Sequence, residues 1–397
     1  MIIFALMSGL LISFNPTAFG VGIRIQASDF LIPIILFFIV KKSLFQKISN
    51  SFDICIISSI FTGIFLFGAL KHWLNFGNIN FWCIKKIIGY CICIGYFFTG
   101  ILLYEKRHDV TKIFIITSWF MGAFCLILYN FFPELESIFI YKAAARFQGF
   151  MGNPNAYGFF FAFALLLQIS LNSTLQYNQF IKRLGFVLLM LNLLASSSRS
   201  AWGAFLIPCM LYALKNNKTQ KYFCLISFIF CFYAFLIFNV VNFNFLCHSS
   251  LILYNYFGSI HCSFSDYFIN SINERIQPLM TIMPAFFEHP IAGIGLGGAM
   301  TLHHGQEQYA IHNTALWFLI EMGIIGFAAF TWFVYKLTTA LRTSQDVYIK
   351  ALIFPMLSFA IASLANELFY QRYFWLFAGM IMCDWVKRSQ QEAAATF

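Results

Sequence analysis

Apolar runs dominate the chain. Stretches 2–20, 29–40, 54–70, 84–104, 113–132, 156–172, 182–198, 200–214, 222–241, 313–335, 348–365 and 370–386 are mostly apolar. Short polar breaks separate them, many carrying lysine or arginine. Crossing a bilayer takes roughly 20 such residues in a helix, so the pattern predicts about twelve transmembrane helices. The second and eighth runs are short and extend into neighbouring residues. No clear small-residue cleavage site follows the first, which reads as a retained span rather than a signal peptide. The expected fold class is an all-α integral membrane protein, one polytopic domain over 1–397.

One large break interrupts the series. Residues 242–312 form a loop long enough to imply a purpose. Within it, Ile272, Ile276, Leu279, Met280, Met283 and Phe287 fall at helix-like spacing, which predicts an amphipathic surface helix over Ser271–Phe287. HPIAGIGLGG follows at 289–298. Pro290 and the glycines Gly293, Gly295, Gly297 and Gly298 exclude a regular helix there. Such a segment folds tightly and can bring backbone N–H groups close to a ligand. Two shorter breaks carry signals of their own. In RFQGFMGNPNAYG, Arg146 to Gly158, Asn153-Pro154-Asn155 is a turn signal and Asn155 is a candidate cap for the next helix. SSSRSAW, Ser196 to Trp202, marks a tight turn between two runs.

Composition agrees with the pattern. The chain is 60% hydrophobic and 10% charged, whereas soluble domains carry about 25% charged residues. Charge then sets orientation. With the N-terminus inside, the inner breaks hold Lys41, Lys42, Lys47, Lys106, Arg107, Lys112, Lys182 and Arg183. Further inner positions are Lys215, Lys218, Lys221, Lys336, Arg342, Lys350, Lys387 and Arg388. This inner excess of basic residues predicts cytoplasmic N- and C-termini and an outer, periplasmic 242–312 loop. The net charge of +10 is then mostly topological. No long Lys/Arg cluster exists, so a nucleic-acid partner is not expected. Most of the 11 cysteines, such as Cys91, Cys93, Cys224 and Cys231, fall in predicted spans and read as small packing residues. No CxxC pair suggests zinc or thiol redox chemistry. Cys247 and Cys262 share the outer loop and form a candidate disulfide if it faces an oxidising compartment.

Candidate chemistry gathers at the outer face. Arg146 precedes one span, Arg199 follows another, Arg275 lies on the loop helix and His312 opens the run at 313–335. A guanidinium forks onto phosphate oxygens, and an imidazole can take a proton from a hydroxyl near neutral pH. Each also has a structural reading. A terminal arginine can snorkel to lipid headgroups, Arg275 can be a solvated helix face, and a histidine at a helix start can simply cap or pack. His303 and His304 read as loop residues, since no third metal ligand is evident.

Taken together and in this order, RFQGFMGNPNAYG, SSSRSAW, NERIQPLM with HPIAGIGLGG, and HNTALWFLIEMGIIG resemble the O-antigen ligase and polymerase superfamily of bacterial inner-membrane glycosyltransferases. The ligase pattern of His-Asn, nine residues and Gly-x-x-Gly is met by His312, Asn313, Gly323 and Gly326. Phe327 stands where ligases often carry Asn, Thr or Ser, a departure that favours a polymerase. The resemblance implies catalytic roles for His312, Arg275 and Arg199, substrate-side roles for Arg146, Asn153, Asn155 and Asn313, and structural roles for Gly293, Gly295, Gly323 and Gly326. It implies an undecaprenyl-pyrophosphate-linked glycan donor and a lipid A–core acceptor among membrane lipids. No metal, nucleotide or other cofactor is expected, because the pyrophosphate linkage is already activated. An O-antigen polymerase shares the donor but takes a second lipid-linked repeat unit as acceptor. A transporter is the alternative from another class. It would place ionisable groups near the bilayer midplane, and Asn192 and Asn366–Glu367 are the polar groups inside the apolar region that keep that reading open.

The orientation is testable directly. A single cysteine introduced at Gln306, with the native cysteines removed, should react with a membrane-impermeant thiol reagent in intact spheroplasts. Labelling only after lysis would invert the topology.

Overall fold

The computed structural model describes residues 2–10, 12–14, 25–34, 52–132, 140–141, 146–215, 276, 279–302 and 311–395. The span expected at 222–241, most of the 242–312 loop, Arg275, His303, His304, Cys247 and Cys262 lie outside the described residues.

Within the described residues the chain is overwhelmingly helical. Its longer helices are α1 (Ile2–Gly9), α2 (Phe52–Phe76), α3 (Phe81–Leu103), α4 (Arg107–Phe131), α5 (Pro154–Ser170), α6 (Gln179–Ala195) and α7 (Arg199–Lys215). After α7 come α8 (Leu279–Glu288), α9 (Gly298–Leu302), α10 (Thr314–Thr343), α11 (Val347–Lys350), α12 (Ile353–Ser363) and α13 (Arg372–Ala395). Two short antiparallel ladders join Ser13–Phe14 to Ile25–Gln26 and Ile140–Tyr141 to Arg146–Phe147.

Among the described residues, three helical stretches are long and apolar enough to cross a membrane: Asp53–Phe76, Phe81–Phe131 and Thr314–Thr343. The second contains both α3 and α4, separated by a 3-10 turn at Tyr104–Lys106. Helices α5, α6, α7 and α13 also fall on apolar runs. The first run differs from expectation. Its helix stops at Gly9 rather than continuing to 20, and the chain turns into the ladder at Ser13. Gly9 sits so tightly on Ser28 that a Cβ there would lie 2.5 Å from the Ser28 amide nitrogen.

Helix α5 occupies the centre. Its sequence, PNAYGFFFAFALLLQIS, is apolar on every face, and a helix without a polar face has to be buried all round. It packs against α4, α6, α7 and α12. Trp119 Nε1 donates to Gln168 Oε1 at 2.9 Å, and Gln168 Nε2 donates to the Lys182 carbonyl at 2.8 Å, so its one long polar side chain is satisfied. A second layer forms where α2, α3, α10 and α13 meet. There Phe61 makes edge contacts with Phe333 and Trp375 at 5.3 and 6.0 Å. Such ring pairs are worth about 0.5–1.5 kcal/mol beyond buried area.

The closest helix crossing is between α3 and α13. A Cβ on Gly100 would lie 1.9 Å from the Leu376 carbonyl oxygen, and one on Gly379 would lie 2.0 Å from that of Phe97. Lipid tails are as apolar as leucine, so close backbone approach at small residues, rather than burial, holds such helices together. The two ends of the bundle differ chemically. One carries Arg107–Asp346 at 2.7 Å, Lys336–Asp53 at 3.4 Å and the Lys387–Glu105 pair. The other carries the heads of α5, α7 and α10.

Gly379→Val should therefore destabilise the detergent-purified protein by about 1–3 kcal/mol, as an overpacked contact does, and lower its melting point. Gly63→Ala is the control, since nothing lies within 4 Å of its added Cβ. Equal melting of the two variants would contradict the close crossing.

Candidate functional site

The Asn-Pro-Asn turn works differently from its sequence reading. Asn153, not Asn155, caps α5: its side chain accepts from the amides of Asn155 and Ala156 at 2.8 and 3.2 Å. Pro154 suits the first helical position, where no N–H partner is needed. The Asn155 side chain is thereby released for other bonds. Its oxygen accepts from Arg146 Nη2 at 2.8 Å and from Ser198 Oγ at 2.9 Å.

The serine turn supplies the next link. Ser197 sits at φ 49°, a left-handed conformation that costs a non-glycine residue roughly 1–2 kcal/mol. The turn is held by Ser196 Oγ donating to the Leu193 carbonyl at 2.7 Å. The Ser196 carbonyl accepts from Arg146 Nε at 3.2 Å. Arg146 is thus fixed by two partners on two elements, and Arg199 becomes the first residue of α7.

From this turn the chain of bonds continues to the head of α10. Ser198 Oγ lies 3.4 Å from Ser200 Oγ, which accepts from Asn366 Nδ2 at 3.3 Å. The Asn366 carbonyl accepts from Thr314 Oγ1 at 3.0 Å, and the same hydroxyl accepts from the Leu368 amide at 2.9 Å. Asn313 caps α10 by accepting from Leu316 N at 3.0 Å, and its Nδ2 donates to the Leu364 carbonyl at 2.9 Å. Its side chain therefore fastens the helix head to the turn after α12. His312 itself is exposed at that head. Asn366 and Glu367, read from sequence as groups inside the apolar region, stand in the turn between α12 and α13.

Arg146, Asn153, Asn155, Arg199, His312 and Asn313 are thus gathered at one end of the bundle. The N-termini of α5, α7 and α10 converge on the same place, and helix N-termini favour negative charge. Arg275 lies outside the described residues.

The glycine-rich segment does not offer its amides to a ligand. Gly293 N donates to the His289 carbonyl at 2.8 Å, Ile294 N to Ile320 at 3.0 Å, Gly295 N to Glu321 at 3.0 Å and Leu296 N to Gly68 at 2.9 Å. Gly293, Gly295 and Gly297 have φ of 71°, 97° and 77°. Added Cβ atoms would strike α10 at Glu321, α2 at His72 and α3 at Cys83 respectively. The alternate residues Ile294 and Leu296 are buried in the core. Gly323 is equally committed: its φ of 67° breaks α10, and a Cβ would lie 2.2 Å from the Ile291 carbonyl oxygen. Its close neighbour is this loop rather than another span. Gly326 sits just below, where a Cβ would crowd Met322 of its own helix.

Helix α8 buries a face shifted by one residue from the expected one. Ile282 and Phe286 are buried while Met280 and Phe287 are exposed. The reading from sequence also missed a charged cluster behind the loop. Lys86 pairs with Glu367 and lies over the Trp317 ring at 4.5 Å, and Glu321 is 1% exposed. Lone charges in apolar runs were the available signal.

Residues 184–331 match the family model described as O-antigen ligase. That stretch includes Arg199, Arg275, His312 and both glycines of α10, and supports the O-antigen ligase superfamily for this chain. Arg146, Asn155 and Asn366 lie outside it and are joined to it by the hydrogen bonds above. A comparison with curated proteins found no match.

Proposed function

We propose that the protein is an O-antigen ligase of a bacterial inner membrane, with its site facing the periplasm and both termini cytoplasmic. It transfers a glycan from undecaprenyl pyrophosphate to a sugar hydroxyl of lipid A–core. The observation that carries this reading is the bonded series from Arg146 through Asn155, Ser198, Ser200 and Asn366 to Thr314. It brings a guanidinium, three helix N-termini and an exposed imidazole to one end of an apolar bundle. That combination suits an anionic leaving group and a hydroxyl nucleophile meeting at the headgroup level.

In this scheme His312 accepts the proton of the acceptor hydroxyl as its oxygen attacks the anomeric carbon. The bond from that carbon to the pyrophosphate oxygen breaks, and the electron pair leaves with undecaprenyl pyrophosphate. Arg199 and Arg275 meet the charge that develops there, and Arg146 assists. Asn153, Asn155 and Asn313, expected at the substrate, act one step back by holding Arg146 and the helix heads. No metal or nucleotide enters the scheme.

The lipopolysaccharide gel pattern of a deletion strain tests the reading. Loss of a ligase leaves full-length polymer on the lipid carrier and bare core on lipid A. Loss of a polymerase leaves core bearing one repeat unit, and an unchanged ladder contradicts both.

Residue roles are tested by transfer in nanodiscs. His312→Ala should lose about 10²- to 10⁴-fold in rate, the usual worth of a general base, while still binding donor. His303→Ala and His304→Ala should be much milder. Arg199→Lys and Arg275→Lys should both transfer poorly, because lysine cannot fork onto two phosphate oxygens. Near-normal rates in the folded lysine variants would leave the arginines as headgroup anchors.

A further inference from the structure

Helix α10 is two segments. Gly323 separates the upper part, Thr314–Met322, from the lower part, and the upper part carries His312 at its head. At its top it is tied to the turn after α12 by Asn313 and Thr314. At its base it is tied to the glycine-rich loop. Ile294 N and Gly295 N donate to the carbonyls of Ile320 and Glu321, both at 3.0 Å. Among the described hydrogen bonds between the loop and α10, one uses a side chain. Gly297 N donates to Glu321 Oε2 at 2.8 Å, from a carboxylate that is 1% exposed.

That side chain is expensive to keep. An ionisable group inside a membrane bundle is disfavoured unless it is paired or has a task. Glu321 has Lys86 as its electrostatic neighbour, yet Lys86 already pairs with Glu367. Charge balance therefore does not require Glu321. Glu321 provides an acceptor for an amide in the middle of GIGLGG, where Gly297 presses on the backbone of Trp82 and Cys83 in α3, and the Trp317 indole lies beside the same carboxylate. The bond closes a ring of contacts: α10 to the loop, the loop to α3, and, through Gly68 and Asn75, the loop to α2.

We propose that Glu321 is a positioning residue: by accepting the Gly297 N–H it locks the glycine-rich loop against α10, and so fixes the upper segment that presents His312. The consequence for catalysis rests on the glycan-transfer reading above; the lock itself does not. A misplacement of about 1 Å at a remote position can cost about 10²-fold in rate.

Glu321→Met and Glu321→Gln separate this role from a general need for the residue. Methionine fills similar volume without an acceptor, and exchanging a buried charge for an apolar side chain is often tolerated. Glutamine keeps an acceptor oxygen and loses the charge. Two readouts are taken. The first is the maleimide reactivity of a protein retaining Cys83 alone, measured in native membranes so that no purification step intervenes. Cys83 is fully buried directly behind Gly297, and release of the loop uncovers it. The second is steady-state transfer with lipid-linked glycan donor and lipid A–core.

Glu321→Met should expose Cys83 and lower kcat by about 10²-fold, with donor KM within about twofold of wild type. Glu321→Gln should resemble wild type in both readouts. Three outcomes overturn the proposal: an unreactive Cys83 in Glu321→Met, whatever its kcat; an exposed Cys83 with normal kcat; or a Glu321→Gln protein as impaired as Glu321→Met. A wild-type protein that fails to transfer, while the labelling pattern holds, supports the lock and removes the glycan-transfer reading instead.

Discussion

Inside an apolar bundle every backbone N–H and C=O needs a partner within the protein, because lipid offers none. The break in α10 at Gly323 puts that rule under stress, and the rest of the site end follows from how the stress is resolved. Carbonyls at Ile320 and Glu321 and amides at Ile324 and Ile325 lose their helical partners. The loop supplies all four: Ile294 N and Gly295 N donate to the two carbonyls, and the carbonyls of Pro290 and Ile291 accept from the two amides at 3.0 and 3.4 Å. The irregular segment and the broken helix are thus one structure. Each supplies the backbone partners that the other lacks.

This pairing explains why glycine recurs in both sequences. For the backbones of loop and helix to come within hydrogen-bond distance, neither can carry a side chain at the point of contact. Gly293 meets Glu321 and Gly323, and Gly323 meets Ile291 and Gly293, so the two glycines face each other. Alternation then does the rest. Ile294 and Leu296 fill the core between α2 and α10, while Gly295 and Gly297 let the loop touch α2 and α3. With α10 held at its base by the loop and at its top by the Asn366 turn, the direction of its N-terminus is fixed relative to α5 and α7.

Much of this was legible in the sequence, and the reasons for the misses are specific. Hydrophobic runs located α3, α5, α6 and α7 within about three residues at each end, since length and polarity bear directly on whether a helix suits lipid, but α2, α4 and α13 each run six to nine residues past one expected end. The same runs could not reveal the end of α1 at Gly9, which depends on a contact with Ser28, far along the chain. Local turn chemistry identified the Asn-Pro-Asn corner but gave the cap to the wrong asparagine. Both residues can cap, and only the position of Arg146 and Ser198 decides which one is needed elsewhere. The glycine-rich loop was recognised as irregular. That its amides would be consumed by α10 was not foreseeable, because the kink at Gly323 is itself a product of the pairing. The Lys86–Glu367–Glu321 cluster joins residues more than 200 positions apart, beyond any local pattern.

The arrangement of charge argues for chemistry at the rim of the bundle. A path through the bundle would call for ionisable groups spaced along its interior, exchanging partners in sequence. Among the described residues at the site end, two groups of ionisable side chains have different neighbours. Lys86 and Glu367 pair with each other, and the nearby Glu321 accepts from a backbone amide; Arg372 is held by both carboxylate oxygens of Asp29 at 2.9 and 3.3 Å. These groups are engaged in fastening the turn after α12, the loop and α13. The second group, Arg146, Arg199 and His312, stands at or before helix heads, and Arg146 is held there by the Asn155 side chain and the Ser196 carbonyl. Neutral partners orient a cation without neutralising it. In the proposed reading, Arg146 so held faces the place where a pyrophosphate must arrive, while Glu321 and Glu367 are committed to a backbone amide and a lysine.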